Sequence, residues 1–170
     1  MKPELFWISG PWRGKLAIAS RPRGGDWLQD EAVAWRRAGL DVVVSLLEDE
    51  EAAQLELARE AEAARREGID FIRFPIADRG VPDSTAATLA LLHRTVEALN
   101  AGKHVAVHCR QGIGRSGLIA VGALITSGFG TEEAINAVSL ARGVLIPETQ
   151  AQHEWLQHLP AEHPAEKFSD

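Results

Sequence analysis

The chain predicts an α/β fold with a central, largely parallel sheet flanked by helices. Short apolar runs alternate with longer amphipathic ones, and glycines close several of the longer runs. No repeat or low-complexity tract interrupts the alternation. With 170 residues, 45% of them hydrophobic, the chain is expected to form one domain over 1–170, irregular from about residue 160.

The elements follow in order. Leu5–Ile8 and Leu16–Ala19 read as an opening pair of strands, and Ser20–Gly25 as a turn-rich loop. A helix is expected from about Trp27 to Arg37, ended by Gly39, then a buried strand over Asp41–Leu47. Glu50–Glu67 reads as one helix closed by Gly68, its acidic run a solvated face. The strand ending at Phe74 leads into a loop with Pro75, Gly80 and Pro82, and a helix spans Thr85 to about Asn100. Val105–His108 is a further buried strand, and three helices follow it. In such sheets ligands bind beyond the carboxyl ends of the strands. Two segments at those ends carry the chemistry.

The first is His108-Cys109-Arg110-Gln111-Gly112-Ile113-Gly114-Arg115-Ser116-Gly117. A strand, a tight glycine-bearing loop and a helix start succeed one another, with the chain's only cysteine at the loop's beginning and an arginine at its end. Such a loop turns backbone N–H groups inward, and the helix start adds its positive dipole end, which suits phosphate. A thiol attacks only as thiolate, and a free cysteine near pKa ~8.5 is mostly protonated at neutral pH. Inward N–H groups, the helix dipole and Arg115 all favour the anion. The planar fork of Arg115 can hold two phosphate oxygens at once. Ser116 can donate to the sulfur, and His108 braces the loop from below without a chemical step.

Cys109, five intervening residues, Arg115 and then Ser116-Gly117 resemble the signature of the cysteine-dependent protein tyrosine phosphatases, most of all their compact dual-specificity branch. The resemblance implies a phosphocysteine intermediate formed on Cys109, with no metal and no organic cofactor. It implies phosphate binding by Arg115 and the loop residues Arg110, Gln111, Gly112, Ile113 and Gly114, and help from Ser116 when the intermediate breaks down. It also requires a general acid from an upstream loop. Asp78, 31 residues before Cys109, is the candidate, and Pro75-Ile76-Ala77-Asp78 is similar to the acid loop of a member that acts on cyclin-dependent kinases. Asp83 is the rival, but it stands before Ser84-Thr85 and reads as part of a helix start. Gln152 matches the glutamine that positions the hydrolytic water in some relatives, with Glu148 at the more proximal place.

The substrate expected from this resemblance is a phosphorylated protein. The chain has no tyrosine to stack on a substrate ring, which points to a shallow cleft open to phosphotyrosine and also to phosphoserine and phosphothreonine. A catalytically silent phosphate-binding or scaffold module is the alternative. Silent relatives lose the cysteine, the arginine or the acid, and all three are present.

Other motifs fail on context. Gly112-Ile113-Gly114-Arg115-Ser116-Gly117 fits GxGxxG, but three residues separate it from the strand and the following segment is helical. The loop lacks the lysine of a nucleotide-hydrolase phosphate loop. His153 and His158 are five apart, so they diverge around a helix instead of sharing a metal. The net charge of −6 argues against a nucleic-acid surface, so an anionic substrate is attracted locally by Arg115, Arg110 and Arg79. The polar N-terminus and short apolar runs predict neither leader nor membrane span, and a single cysteine fits a reducing, cytoplasmic setting.

Overall fold

A computed structural model describes residues 2–160; the tail expected to be irregular lies almost wholly outside them. Five strands form one sheet: β1 (Leu5–Ile8), β2 (Leu16–Ala19), β3 (Val42–Ser45), β4 (Asp70–Arg73) and β5 (Val105–His108). Their order is β1-β2-β5-β3-β4, antiparallel only between β1 and β2. The largely parallel sheet expected from the alternation is therefore present. β5 sits centrally, with Val105 opposite both Leu16 and Val42.

Strand alternation divides the core into two layers. Leu16, Ile18, Val42, Val44, Val105 and Val107 face one side. There they meet α4 (Thr85–Asn100), α5 (Gly114–Thr126), α6 (Thr131–Arg142) and α7 (Gln150–Gln157). Ala19, Val43 and Ala106 face the other, against α1 (Leu28–Arg37) and α3 (Glu60–Arg66). The helix α5 is buried from Gly114 to Ile125, which explains the apolar run of residues 118–125. This fixes the helix start that follows the cysteine loop.

The single helix expected over Glu50–Glu67 is two helices, α2 (Asp49–Gln54) and α3. Between them Leu57 turns into the core and Glu56 takes a left-handed backbone with φ 56°. The carbonyl of Glu56 accepts from the N–H of Gly25 at 3.0 Å. Gly24 lies so close to this bend that a Cβ there would come within 2.1 Å of the Leu55 oxygen. Tertiary docking, with no local breaker residue, ends α2. The acidic run is also not wholly solvated: Glu51 and Glu60 are buried. The start of α4 is as expected, with Ser84 as its cap accepting from the Ala87 N–H at 3.1 Å, so Asp83 stands just before the helix.

Candidate active site

The carboxyl ends of β5, β3 and β4 lie on one rim, and the chain leaves each of them into the site. Cys109 follows β5 directly and is 3% exposed. Arg110 and Gln111 face solvent, Gly112 is buried, and Ile113 caps α5. Gly112 has φ +68°, and a Cβ there would stand 3.2 Å from the Ala19 oxygen at the end of β2. Glycine therefore lets the loop turn tightly against the neighbouring strand.

The thiol sits among donors. Its Sγ is 2.9 Å from the Ser116 Oγ and accepts from the Gly112 N–H at 3.3 Å. Burial pushes the thiol's pKa up, but the Ser116 hydroxyl, the backbone N–H groups of Ser116 and Gly112 and the Arg115 charge outweigh it. The net result is a thiol held below its ordinary value. Beneath it His108 is fully buried, with Nδ1 3.3 Å from the Cys109 oxygen and Nε2 bonded to the Glu60 carboxylate. Burial disfavours the charged ring, yet Glu60 more than compensates and raises its pKa. The expected brace is there, and its anchor on α3 was not expected.

Arg115 is 2% exposed, and both of its terminal nitrogens are engaged. Its Nη1 donates to Glu51 Oε2 at 2.7 Å and to the Ile76 carbonyl at 2.9 Å. Its Nη2 donates to Glu51 Oε1 at 2.9 Å and to Asp78 Oδ1 at 3.2 Å. The two-pronged Glu51 contact fixes the plane of the guanidinium. Arg115 in turn outweighs burial and, with the Glu48 N–H, holds the Glu51 carboxyl below its ordinary range. Sequence reasoning missed Glu51. A signal existed in the reciprocal cap it forms with Glu48 at the start of α2, where the Glu48 N–H donates to Glu51 Oε2 at 3.0 Å.

Asp78 lies beside Arg115 on a loop whose contacts include Ile76 O to Arg115, Gly80 O to Gln152 Nε2 at 3.0 Å, and Arg79 to Glu148 at 3.1 Å. Gln152 is fully buried at the start of α7. Its Oε1 accepts from the N–H groups of Glu148 and Thr149, each at 3.2 Å. It also reaches the cysteine loop, since a Cβ on Gly114 would stand 3.0 Å from its Nε2. The structure thus gathers Cys109, Arg115, Ser116, Asp78 and Gln152 in one place. His153 and His158 go elsewhere, one 3.7 Å from Glu132 and the other bonded to the Glu154 carbonyl.

A buried thiol among inward donors, a guanidinium locked in plane and a half-exposed carboxylate make a site for phosphoryl chemistry. Comparison with known proteins agrees. The family model described as "Polymorphic toxin system, DSP-PTPase phosphatase" matches residues 17–129, two thirds of the chain and the whole loop. The chain belongs to that family. Within the cysteine-dependent protein tyrosine phosphatases, it is 31% identical over 93 residues to a putative tyrosine phosphatase, 197R, of Invertebrate iridescent virus 6. That match takes in 52% of this chain and 34% of the viral protein, so the chain spans about a third of that relative's length. Among solved structures, Tk-PTP in its active form is 30% identical with a TM-score of 0.71, covering 94% of this chain and 97% of the other. Kinase associated phosphatase, with its catalytic-site cysteine replaced by serine, has a TM-score of 0.81 at 20% identity and shows the fold alone. It covers 92% of this chain and 93% of its own. The family model ends before α6, so Arg142, Glu148 and Gln152 lie beyond the part it matches.

Proposed function

We propose that the protein is a protein-tyrosine and dual-specificity phosphatase working through a phosphocysteine on Cys109. The observation that carries this reading is the Sγ of Cys109 between the Ser116 hydroxyl and the Gly112 N–H, with Arg115 and Asp78 paired beside it. In the first step the thiolate attacks phosphorus and an S–P bond forms. The bond from phosphorus to the substrate oxygen breaks, and Asp78 gives that oxygen its proton. Arg115 and the N–H groups of residues 110–115 hold the phosphoryl oxygens. In the second step water attacks phosphorus, Asp78 takes a proton from it, and the S–P bond breaks. Ser116 donates to the departing thiolate. Gln152, its amide engaged by backbone groups of α7's start and the acid loop, serves this step by holding Asp78's loop in place.

The substrate class is a phosphorylated protein, with phosphotyrosine, phosphoserine and phosphothreonine all admitted. The absence of tyrosine from the chain and the 56% exposure of the Asp78 side chain support an open cleft. No helix among the described residues is long and apolar enough to cross a membrane, and a cytoplasmic setting fits a reduced Cys109. The test is phosphate release from matched phosphotyrosine and phosphothreonine peptides without added metal. Release from both, lost in Cys109→Ser, is the expected result. Release that persists in Cys109→Ser overturns the mechanism, and no release by the wild-type protein leaves the silent binding module as the better account.

A further inference from the structure

Outside the residues used so far, one cation grips the cysteine loop from behind. Arg142, the last residue of α6, donates from Nε to the Gly112 carbonyl at 2.8 Å and from Nη2 to the Gln111 carbonyl at 3.3 Å. Its guanidinium lies over the Phe6 ring of β1, 4.1 Å from the centroid. We propose that Arg142 is a positioning residue that holds two loop carbonyls outward and so turns the N–H groups of the same peptides inward, that of Gly112 onto the Cys109 Sγ and that of Ile113 onto the bound anion. The proposal rests on reading this loop as the phosphate site.

The geometry follows from the planar trans peptide, in which C=O and N–H point in opposite directions. The peptide whose carbonyl belongs to Gln111 carries the Gly112 N–H, and that N–H donates to the Cys109 Sγ. The peptide whose carbonyl belongs to Gly112 carries the Ile113 N–H, which therefore points away from Arg142. One guanidinium thus sets two successive peptides. Gly112 has no side chain and takes a left-handed φ of +68°, so its peptides flip easily unless something holds them. The planar fork, flat on Phe6, meets two adjacent carbonyls at once, and an ammonium on a flexible stem does not. Arg142 touches the outer side of the loop, so it does this without contacting substrate.

The single cysteine allows a direct test on the full chain, because iodoacetamide reports one residue. Alkylation rate is measured against pH, and then at neutral pH against added inorganic phosphate, in the wild type, Arg142→Met and Arg142→Lys. Arg142→Met keeps the stem against Phe6 and removes both donors. Its alkylation profile is expected to move up by about one pH unit, and protection to need about tenfold more phosphate. Arg142→Lys is expected to fall between the two. A wild-type profile and wild-type protection in either folded variant, even with a lowered unfolding midpoint, would make Arg142 mere packing and overturn the proposal. Should Arg142→Met not fold, Arg142→Lys alone decides by the same criterion. Failure of phosphate to protect the wild type would instead strike at the functional reading itself.

Discussion

At the amino-terminal rim of the parallel strands, charges meet at the surface. Asp41 pairs with Arg36 at 3.0 Å and Asp70 with Lys103 at 3.8 Å, all four side chains a third or more exposed. At the carboxyl-terminal rim, Arg115, Glu51, His108 and Glu60 form two ion pairs that are almost wholly buried. Exposed pairs of the first kind contribute about 0–1 kcal/mol. Buried pairs of the second kind give up hydration that their mutual attraction barely restores, and hydrophobic replacements often serve stability as well or better. The second rim is therefore not organised for stability. Its buried charges are kept where a thiolate and a phosphate need them, and each is paired so that the burial is bearable.

Removing one member of a buried pair should expose this difference most strongly. Glu51→Gln leaves the buried Arg115 with only the half-exposed Asp78 as a carboxylate partner, and is expected to lower unfolding stability by on the order of 3 kcal/mol in urea titrations near neutral pH. Because Arg115 above all holds the Glu51 carboxyl below its ordinary value, the ionised group's contribution is present above the ordinary carboxylate pKa. It disappears as pH falls through the lower folded value. The wild type should thus lose more stability than Glu51→Gln between about pH 7 and pH 3, and parallel curves would contradict the assignment.

Asp78→Asn should separate chemistry from stability at the same rim. Its side chain is 56% exposed, so the unfolding midpoint should hardly move. Turnover of substrates with poor leaving groups should fall about 10²-fold, and that of activated aryl phosphates much less. If Asp83→Asn instead produces this leaving-group dependence, the acid is misassigned. The smallest effect belongs to the opposite rim. Lys103→Ala removes one exposed partner and should change stability by less than about 0.5 kcal/mol with activity intact. A larger loss there would erase the contrast between the rims.

The parts of this site that could be read from the sequence are those written contiguously. Residues 105–117 contain the strand, the turn and the helix start in one run, so the loop and the roles of Cys109 and Arg115 follow from local order. Asp78 was reachable because its loop directly follows a strand that ends on the same rim. Glu60 and Arg142 were not, since their burial or contacts arise from helices docking around the loop, and for Glu51 the sequence held only its cap at the start of α2, not its pairing with Arg115. Glu60 lies in an acidic stretch that has the pattern of a solvated helix, and only the docking of α3 beneath His108 buries it. The break between α2 and α3 was hidden for the same reason, because Gly24 and Gly25, far upstream, shape the bend at Glu56.

The central position of β5 has a consequence for how the protein acquires reactivity. Residues 105–108 must enter between β2 and β3, both laid down much earlier in the chain, before the cysteine loop has either of its walls. Pairings between such distant segments form late, because the intervening chain must first be closed into a loop. Until then Cys109 has neither its donors nor Arg115 fixed in plane, and its thiol is as sluggish as any free one. A chain still folding on or off the ribosome therefore carries only an ordinary thiol, and heightened reactivity arrives with the finished sheet.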